Sequence, residues 1–175
     1  MYFIALVLPS PADQSIRSFK EWMKDRFGCV KALRSPAHIT LVPPFWLPEN
    51  REAVLLTLFH DFTAGTGMLP VWLDGFSHFG KRVLFIEVKQ QDVLNKLQGQ
   101  VMKHFTCGLP GVVKTEKRPF HPHVTIAARD MRPAVFAQAW EHFSKLPFSE
   151  EVFLRSIHIL KLFPEGWQVI AEKKL

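Results

Sequence analysis

The sequence predicts an α+β fold of mainly antiparallel sheets, arranged as two similar lobes with flanking helices. Three observations carry this. The order strand, helix, short strand, helix, strand occurs twice along the chain. Turns at 78–80 and 164–166 join strand runs too closely for a crossover, so those strands are antiparallel. No glycine-rich loop follows the first strand, which excludes a Rossmann or P-loop nucleotide site.

Residues 2–8 form a compact β-type run. Ser10 or Asp13 then caps a helix to Phe27, striped by Ile16, Phe19, Trp22, Met23 and Phe27. Residues 36–43 are a short strand. Residues 49–62 are a helix with Val54, Leu55, Leu58 and Phe62 inward, closed by Ala64-Gly65-Thr66-Gly67. Strands at 68–77 and 81–89 meet at the turn His78-Phe79-Gly80. The second half starts on that last strand and continues into a helix at 91–105, striped by Val93, Leu94, Leu97, Val101 and Phe105. A loop with Pro110, Gly111 and Pro119 leads to a strand at 123–129. A helix covers 133–145. Runs at 148–163 and 168–174 form a closing hairpin that turns at Pro164-Glu165-Gly166. The halves, about 1–80 and 81–175, are too small to stand alone, so 1–175 is read as one two-lobed domain.

Composition narrows the function classes. The 175 residues are 47% apolar and 22% charged, which excludes extended disorder. Lys plus Arg number 22 and Asp plus Glu 16, a net charge of +6 that favours an anionic partner. Cys29 and Cys107 make no CxxC pair, which leaves neither a thioredoxin motif nor a cysteine-rich zinc site. They read as reduced thiols. The apolar N-terminal run lacks a basic flank and meets Pro9 and Pro11, so it reads as a buried strand rather than a signal peptide. No stretch approaches the roughly 18 apolar residues of a membrane span. The expected protein is cytoplasmic, monomeric and free of membrane.

The chemistry sits on the two short strands. One reads Pro36-Ala37-His38-Ile39-Thr40-Leu41-Val42-Pro43-Pro44-Phe45, the other His121-Pro122-His123-Val124-Thr125-Ile126-Ala127-Ala128-Arg129. With period-two alternation, His38 and Thr40 share one face and Ile39 and Leu41 the other. His123 and Thr125 likewise oppose Val124 and Ile126. Chance supplies about 0.3 His-x-Thr triplets in such a chain, so two is a mild excess. Their equivalent placement in each half says more. A pseudo-twofold relation brings both imidazoles and both hydroxyls to one cleft. That set suits a phosphodiester: a neutral His takes a proton from the nucleophile, and a protonated one donates to the leaving oxygen. Both roles are served by the ordinary imidazole pKa near neutrality. Thr40 and Thr125 donate to phosphate oxygens.

Neighbouring residues fill in the picture. Phe45 and Phe120 flank the motifs and are candidates to stack on a base, ahead of Trp46, Phe79 and Trp167. His121 shares parity with His123, but no third ligand is spaced to join them, so no metal is expected. No cofactor is expected either. His158 can face core or cleft. The segments leading into each motif are basic, with Arg26, Lys31 and Arg34 before the first and Lys96, Lys103, Lys114, Lys117 and Arg118 before the second.

His38-Ile39-Thr40-Leu41 with Pro44-Phe45, together with Pro122-His123-Val124-Thr125-Ile126-Ala127, resembles the two-histidine phosphoesterase superfamily. The nearest branch is that of bacterial 2′-5′ RNA ligases and RNA 2′,3′-cyclic phosphodiesterases. The resemblance extends over the whole chain. It implies a bilobal fold with a central cleft and metal-independent opening of a 2′,3′-cyclic phosphate on RNA ends or nucleotides. The resemblance also brings in reversible 2′-5′ RNA ligation as a companion activity to be expected. It casts His38 and His123 as the catalytic pair and Thr40 and Thr125 as phosphate binders. For hydrolysis it makes His38 the acid and His123 the base. In the family a basic residue often follows the second motif directly. Here Ala128 intervenes, and Arg129 reaches the phosphate if the strand stays regular. Otherwise it pairs with Asp130 or Glu116. Two other readings use the same residues: an RNA-binding module with a vestigial site, and a hydrolase of a non-nucleotide cyclic phosphate or ester.

Overall fold

A computed structural model describes residues 1–89, 92–115 and 118–175. Gln91, read as the start of a helix, and Glu116 and Lys117, read as charges near the second motif, lie outside these. The elements run β1 (Tyr2–Val7), α1 (Ser10–Phe27), β2 (His38–Phe45), α2 (Glu52–Asp61), β3 (Leu69–Phe79), β4 (Val83–Val88), α3 (Asp92–Gly108), β5 (His123–Ala128), α4 (Pro133–Phe143), β6 (Ser149–Leu154), β7 (Ser156–Leu162) and β8 (Trp167–Lys174). They build two four-stranded sheets, ordered β2-β1-β7-β8 and β5-β4-β3-β6. Every neighbouring pair is antiparallel. The predicted fold class holds.

The lobes are not the two sequence halves. β1-α1-β2-α2 matches β4-α3-β5-α4 in order, and each motif strand is the edge strand beside its half's first strand. The strands that follow are exchanged. β3 leaves the first half to pair with β4, and β7 leaves the second to pair with β1. The run 148–163, read as one hairpin arm, is therefore two strands. β6 joins β3 in the second sheet, and after Arg155 the chain enters the first sheet as β7.

Local chemistry explains the other departures. Asp13 does not cap α1: Pro9 holds the N-cap position, and the Asp13 carboxylate accepts from the Ala37 N–H at 2.6 Å. The helix predicted from Glu49 opens with a 3-10 turn, Glu49–Arg51, before α2. Another 3-10 turn, Lys31–Arg34, precedes β2. Gly28 ends α1 at φ +70, in the left-handed conformation a glycine takes without strain.

The central strands are buried on both faces. Tyr2, Ile4 and Leu6 enter the main core with Ile39 and Leu41. Phe3 and Ala5 form a separate small cluster with Leu160. α2 is tied to the first sheet by polar contacts: the Tyr2 hydroxyl donates to Glu52 at 2.6 Å, and Lys161 pairs with the same carboxylate at 2.7 Å.

The β7–β8 turn docks on the segment before β2. Arg34 Nη2 donates to the Pro164 carbonyl at 2.6 Å, and a Cβ built at Gly166 lies 2.5 Å from the Arg34 oxygen. Gly166→Ala is expected to lower unfolding stability by about 1–3 kcal/mol, because backbone rather than a flexible side chain must give way. Urea unfolding measures it, and an unchanged midpoint contradicts the close approach.

Candidate active site

β2 and β5 lie against each other, so the two edge strands bring the motifs together from different sheets. Ile39, Leu41, Val124 and Ile126 are buried as the alternation requires. His38, Thr40, His123 and Thr125 remain partly exposed on the opposite faces. The registers correspond as well. His38 and Thr40 lie opposite Val7 and Ala5 of β1, while His123 and Thr125 lie opposite Glu87 and Phe85 of β4.

Both imidazoles are held in the same way. His38 Nδ1 donates to the Pro36 carbonyl at 2.8 Å, and His123 Nδ1 donates to the His121 carbonyl at 2.7 Å. A carbonyl only accepts, so the proton sits on Nδ1 and the neutral ring keeps Nε2 as a bare base. Proline at 36 and at 122 restricts the backbone that presents these two carbonyls. Each ring also rests on a phenylalanine from the adjacent strand: Phe3 is 4.8 Å from His38, and Phe85 is 5.0 Å from His123. Phe79 meets His123 edge-on at 5.0 Å.

The surroundings of the two rings differ. Burial pushes the His38 pKa down to about 4, and the positive charges of Lys20 and protonated His123 push the same way; the Pro36 hydrogen bond and Asp13 oppose them. Burial also lowers His123, and the neighbouring His121 ring adds to the shift, while the His121 carbonyl and Glu87 oppose it. Glu87 is shared with His121, whose Nε2 lies 2.8 Å from it. Both imidazoles are therefore neutral at pH 7, not poised near it as the ordinary imidazole value suggests.

A cavity of about 560 Å³ opens beside the pair, with Thr40, Phe79, Gln98, Phe120, His121 and His123 in its wall. Phe120, a candidate to stack on a base, is in that wall. Phe45 is not: it is 7% exposed and stacks on Tyr2 in the main core. The β5 strand ends at Ala128, and Arg129 takes φ +60. Strand parity consequently does not carry Arg129 onto the face of His123 and Thr125, and it is exposed. Asp130 is engaged with the 3-10 turn before β2, accepting from Val30 N and Lys31 N at 2.8 Å each. His158 lies opposite Ala5 and so shares the cleft-side face of the first sheet.

Three contributors escaped the sequence reading. Gln98 reaches from α3 to donate to the Leu41 carbonyl at 3.2 Å. Asp13 and Lys20 of α1 grip the segment around Pro36 from both sides, at Ala37 N and at the Ser35 carbonyl (3.0 Å). The signal for Lys20 was present. It follows Ile16 by four residues on the apolar stripe of α1 and is only 3% exposed.

Comparison with known proteins agrees with this architecture. The model of the 2′-5′ RNA ligase superfamily matches residues 8–162. A protein of Geobacillus thermodenitrificans named as a phosphoesterase is 28% identical over 157 residues, covering 88% of this chain and 86% of that protein. An RNA 2′,3′-cyclic phosphodiesterase of Geobacillus stearothermophilus is 28% identical over 166 residues, which is 87% of this chain but 48% of that longer protein. Among solved structures, E. coli LigT in complex with 3′-AMP superposes with a TM-score of 0.68 at 20% identity, covering 99% of this chain and 97% of that one. A protein of Thermus thermophilus gives 0.70 at 19% identity over 99% and 97%. With two antiparallel sheets joined at their His-x-Thr strands and a family match over most of its length, this chain belongs to the 2′-5′ RNA ligase superfamily.

Proposed function

We propose that the protein is a phosphodiesterase that opens 2′,3′-cyclic phosphates, on RNA ends or on nucleotides, by proton transfer between His38 and His123. The observation that carries the reading is the matched pair of rings, each with Nδ1 committed to a backbone carbonyl and Nε2 left for the substrate. Membership of the superfamily supports a phosphoesterase-type or 2′-5′ RNA ligase-type activity, and the named relatives support hydrolysis.

In hydrolysis to a 2′-phosphate, one Nε2 removes a proton from the attacking water as its oxygen bonds to phosphorus. The bond from phosphorus to O3′ breaks, and the other imidazolium delivers its proton to O3′. Thr40 and Thr125 donate to the non-bridging oxygens where charge gathers. The same four side chains serve ligation when a 5′-hydroxyl replaces water: its oxygen bonds to phosphorus as its proton passes to one Nε2, the bond to O3′ breaks, O3′ takes the proton of the other ring, and a 2′-5′ linkage forms. The bound phosphate adds negative charge beside the rings and raises both imidazoles, so one is protonated on binding. The surroundings of His38 run against its expected role as acid. Burial, with Lys20 and His123 behind it and Asp13 against it, holds His38 down to about 4, and burial disfavours the charge of His123 as well, against Glu87. The pair is therefore proposed without a fixed direction. Phe120 and Phe79, in the wall of the larger cavity, are the proposed stacking surface for the base, and the mechanism asks for no metal.

The test is hydrolysis of a 2′,3′-cyclic nucleotide in excess EDTA. Turnover is expected to persist; abolition by the chelator ends the metal-free mechanism. The kcat/KM profile, which reports the free enzyme, is expected to be a bell with its maximum below about pH 6.5, because burial lowers both imidazoles. The kcat profile is expected to lie nearer neutrality, where bound phosphate holds the rings. A kcat/KM optimum above about pH 8 rejects the two imidazoles as the titrating pair.

A further inference from the structure

A second cavity, about 280 Å³, lies between α1, the residues entering β2 and the β7–β8 turn. Three cationic side chains line it: Arg17, Lys20 and Arg34. The acidic members are Asp13, whose carboxylate is occupied by Ala37 N–H, and Glu165 on the exposed turn. Trp167 supplies an aromatic wall.

The cavity is built rather than incidental. Arg34 fixes the turn through Pro164, and Gly166 allows backbone to meet backbone. Lys20 is 3% exposed and spends one donor on the Ser35 carbonyl. An ammonium has three, and a guanidinium has five. Burial lowers the Lys20 pKa to about 8, with Arg17 pushing the same way and Asp13 opposing. A bound anion relieves that cost.

Its position relates it to the catalytic pair. Pro36, whose carbonyl holds His38, is part of the wall. Trp167 meets Phe3 edge-on at 4.6 Å, and Phe3 in turn contacts His38 at 4.8 Å. One aromatic ring therefore separates this cavity from His38, while the larger, aromatic cavity opens beside His123 and Thr40. A strand crossing the histidines meets stacking surface at one end and cations at the other.

We propose that this cavity is a second phosphate subsite, which seats the backbone phosphate of the nucleotide adjoining the reacting one. The inference rests on the phosphodiesterase reading and deepens it. It makes the end of an RNA strand, rather than a free cyclic nucleotide, the preferred substrate.

The experiment compares kcat/KM for an RNA oligonucleotide ending in a 2′,3′-cyclic phosphate with that for a 2′,3′-cyclic mononucleotide. Wild type, Arg17→Ala, Lys20→Met and the control Lys24→Ala are measured, Lys24 being an exposed residue of α1 outside the cavity. The oligonucleotide preference is expected to fall about tenfold in Arg17→Ala and Lys20→Met, mainly through KM, and to persist in Lys24→Ala. A preference unchanged in both cavity variants overturns the subsite, as does an equal loss in Lys24→Ala, which reduces the effect to general charge. Arg17 is an exposed position and decides the matter if Lys20→Met fails to fold. Fluorescence anisotropy with an RNA ending in a 2′-phosphate is independent of turnover. There Arg17→Ala is expected to lower the salt slope by roughly 0.7, one single-strand phosphate contact. If wild type fails to hydrolyse the cyclic mononucleotide, the proposed activity falls, and the anisotropy slope alone judges the subsite: a lowered slope sustains it, an unchanged slope refutes it.

Discussion

His38→Ala and His123→Ala are each expected to lower kcat on a 2′,3′-cyclic nucleotide by about 10²–10⁴-fold, the usual contribution of a positioned acid or base. The double variant is expected to lose little more than either single one, since each ring is useful only while the other completes the proton transfer. Both side chains sit on edge strands outside the main core cluster, so their removal is expected to leave the fold intact. Circular dichroism verifies that, and steady-state kinetics reads the effect. A single variant that keeps near-normal kcat removes that imidazole from the mechanism. Thr40→Val and Thr125→Val keep the shape of the side chain and delete the hydroxyl. They test the phosphate contacts separately.

The second large effect is on stability in acid. In the folded protein His38 is held from the ordinary imidazole value of 6.5 down to about 4 by burial, with Lys20 and His123 adding to the shift and Asp13 opposing it. Between those two values the unfolded chain binds a proton that the folded chain refuses. The unfolded state then carries more protons, so stability falls as pH falls, and the loss is complete below about pH 4. A shift of this size corresponds to roughly 3 kcal/mol. His123 and His158, also lowered chiefly by burial, act with the same sign. Urea unfolding of wild type and His38→Gln at pH 7 and pH 4.5 isolates the term. The variant is expected to lose distinctly less stability on acidification, and identical losses in the two proteins contradict the burial of the His38 charge.

Much of this site is legible in the residues because a strand alternates strictly. Once Ile39, Leu41, Val124 and Ile126 are assigned to the core, the faces of His38, Thr40, His123 and Thr125 follow. Arg129 shows where that logic stops. One residue at φ +60 ends the alternation, and no local signal in Ala127-Ala128-Arg129-Asp130 announces it. Phe45 fails for another reason: flanking a motif in sequence places it on β2, but packing on Tyr2 then decides its surroundings. The place of Lys20 on the apolar stripe of α1 marks it as buried, but its partner and that of Asp13 are backbone atoms near residue 36, and only the tertiary return of the chain brings α1 there. The exchange of β3 and β7 was invisible for a like reason. Strand order follows from burial across the whole molecule, and the hairpin signal at 164–166 says nothing about which sheet receives it.

That exchange also constrains how the molecule comes into being. β1 lies between β2, its near neighbour in the chain, and β7, which arrives some 150 residues later at the pairing Ile4↔Ile159. A ribosome has to add some 150 residues after β1 before the first sheet can close, while the apolar flank of β1 waits unpaired. Contacts of such long range fold slowly, and an open strand edge is a template for pairing with other chains. A chain stalled in synthesis before β7 exposes that edge, and the cell must shield or degrade it.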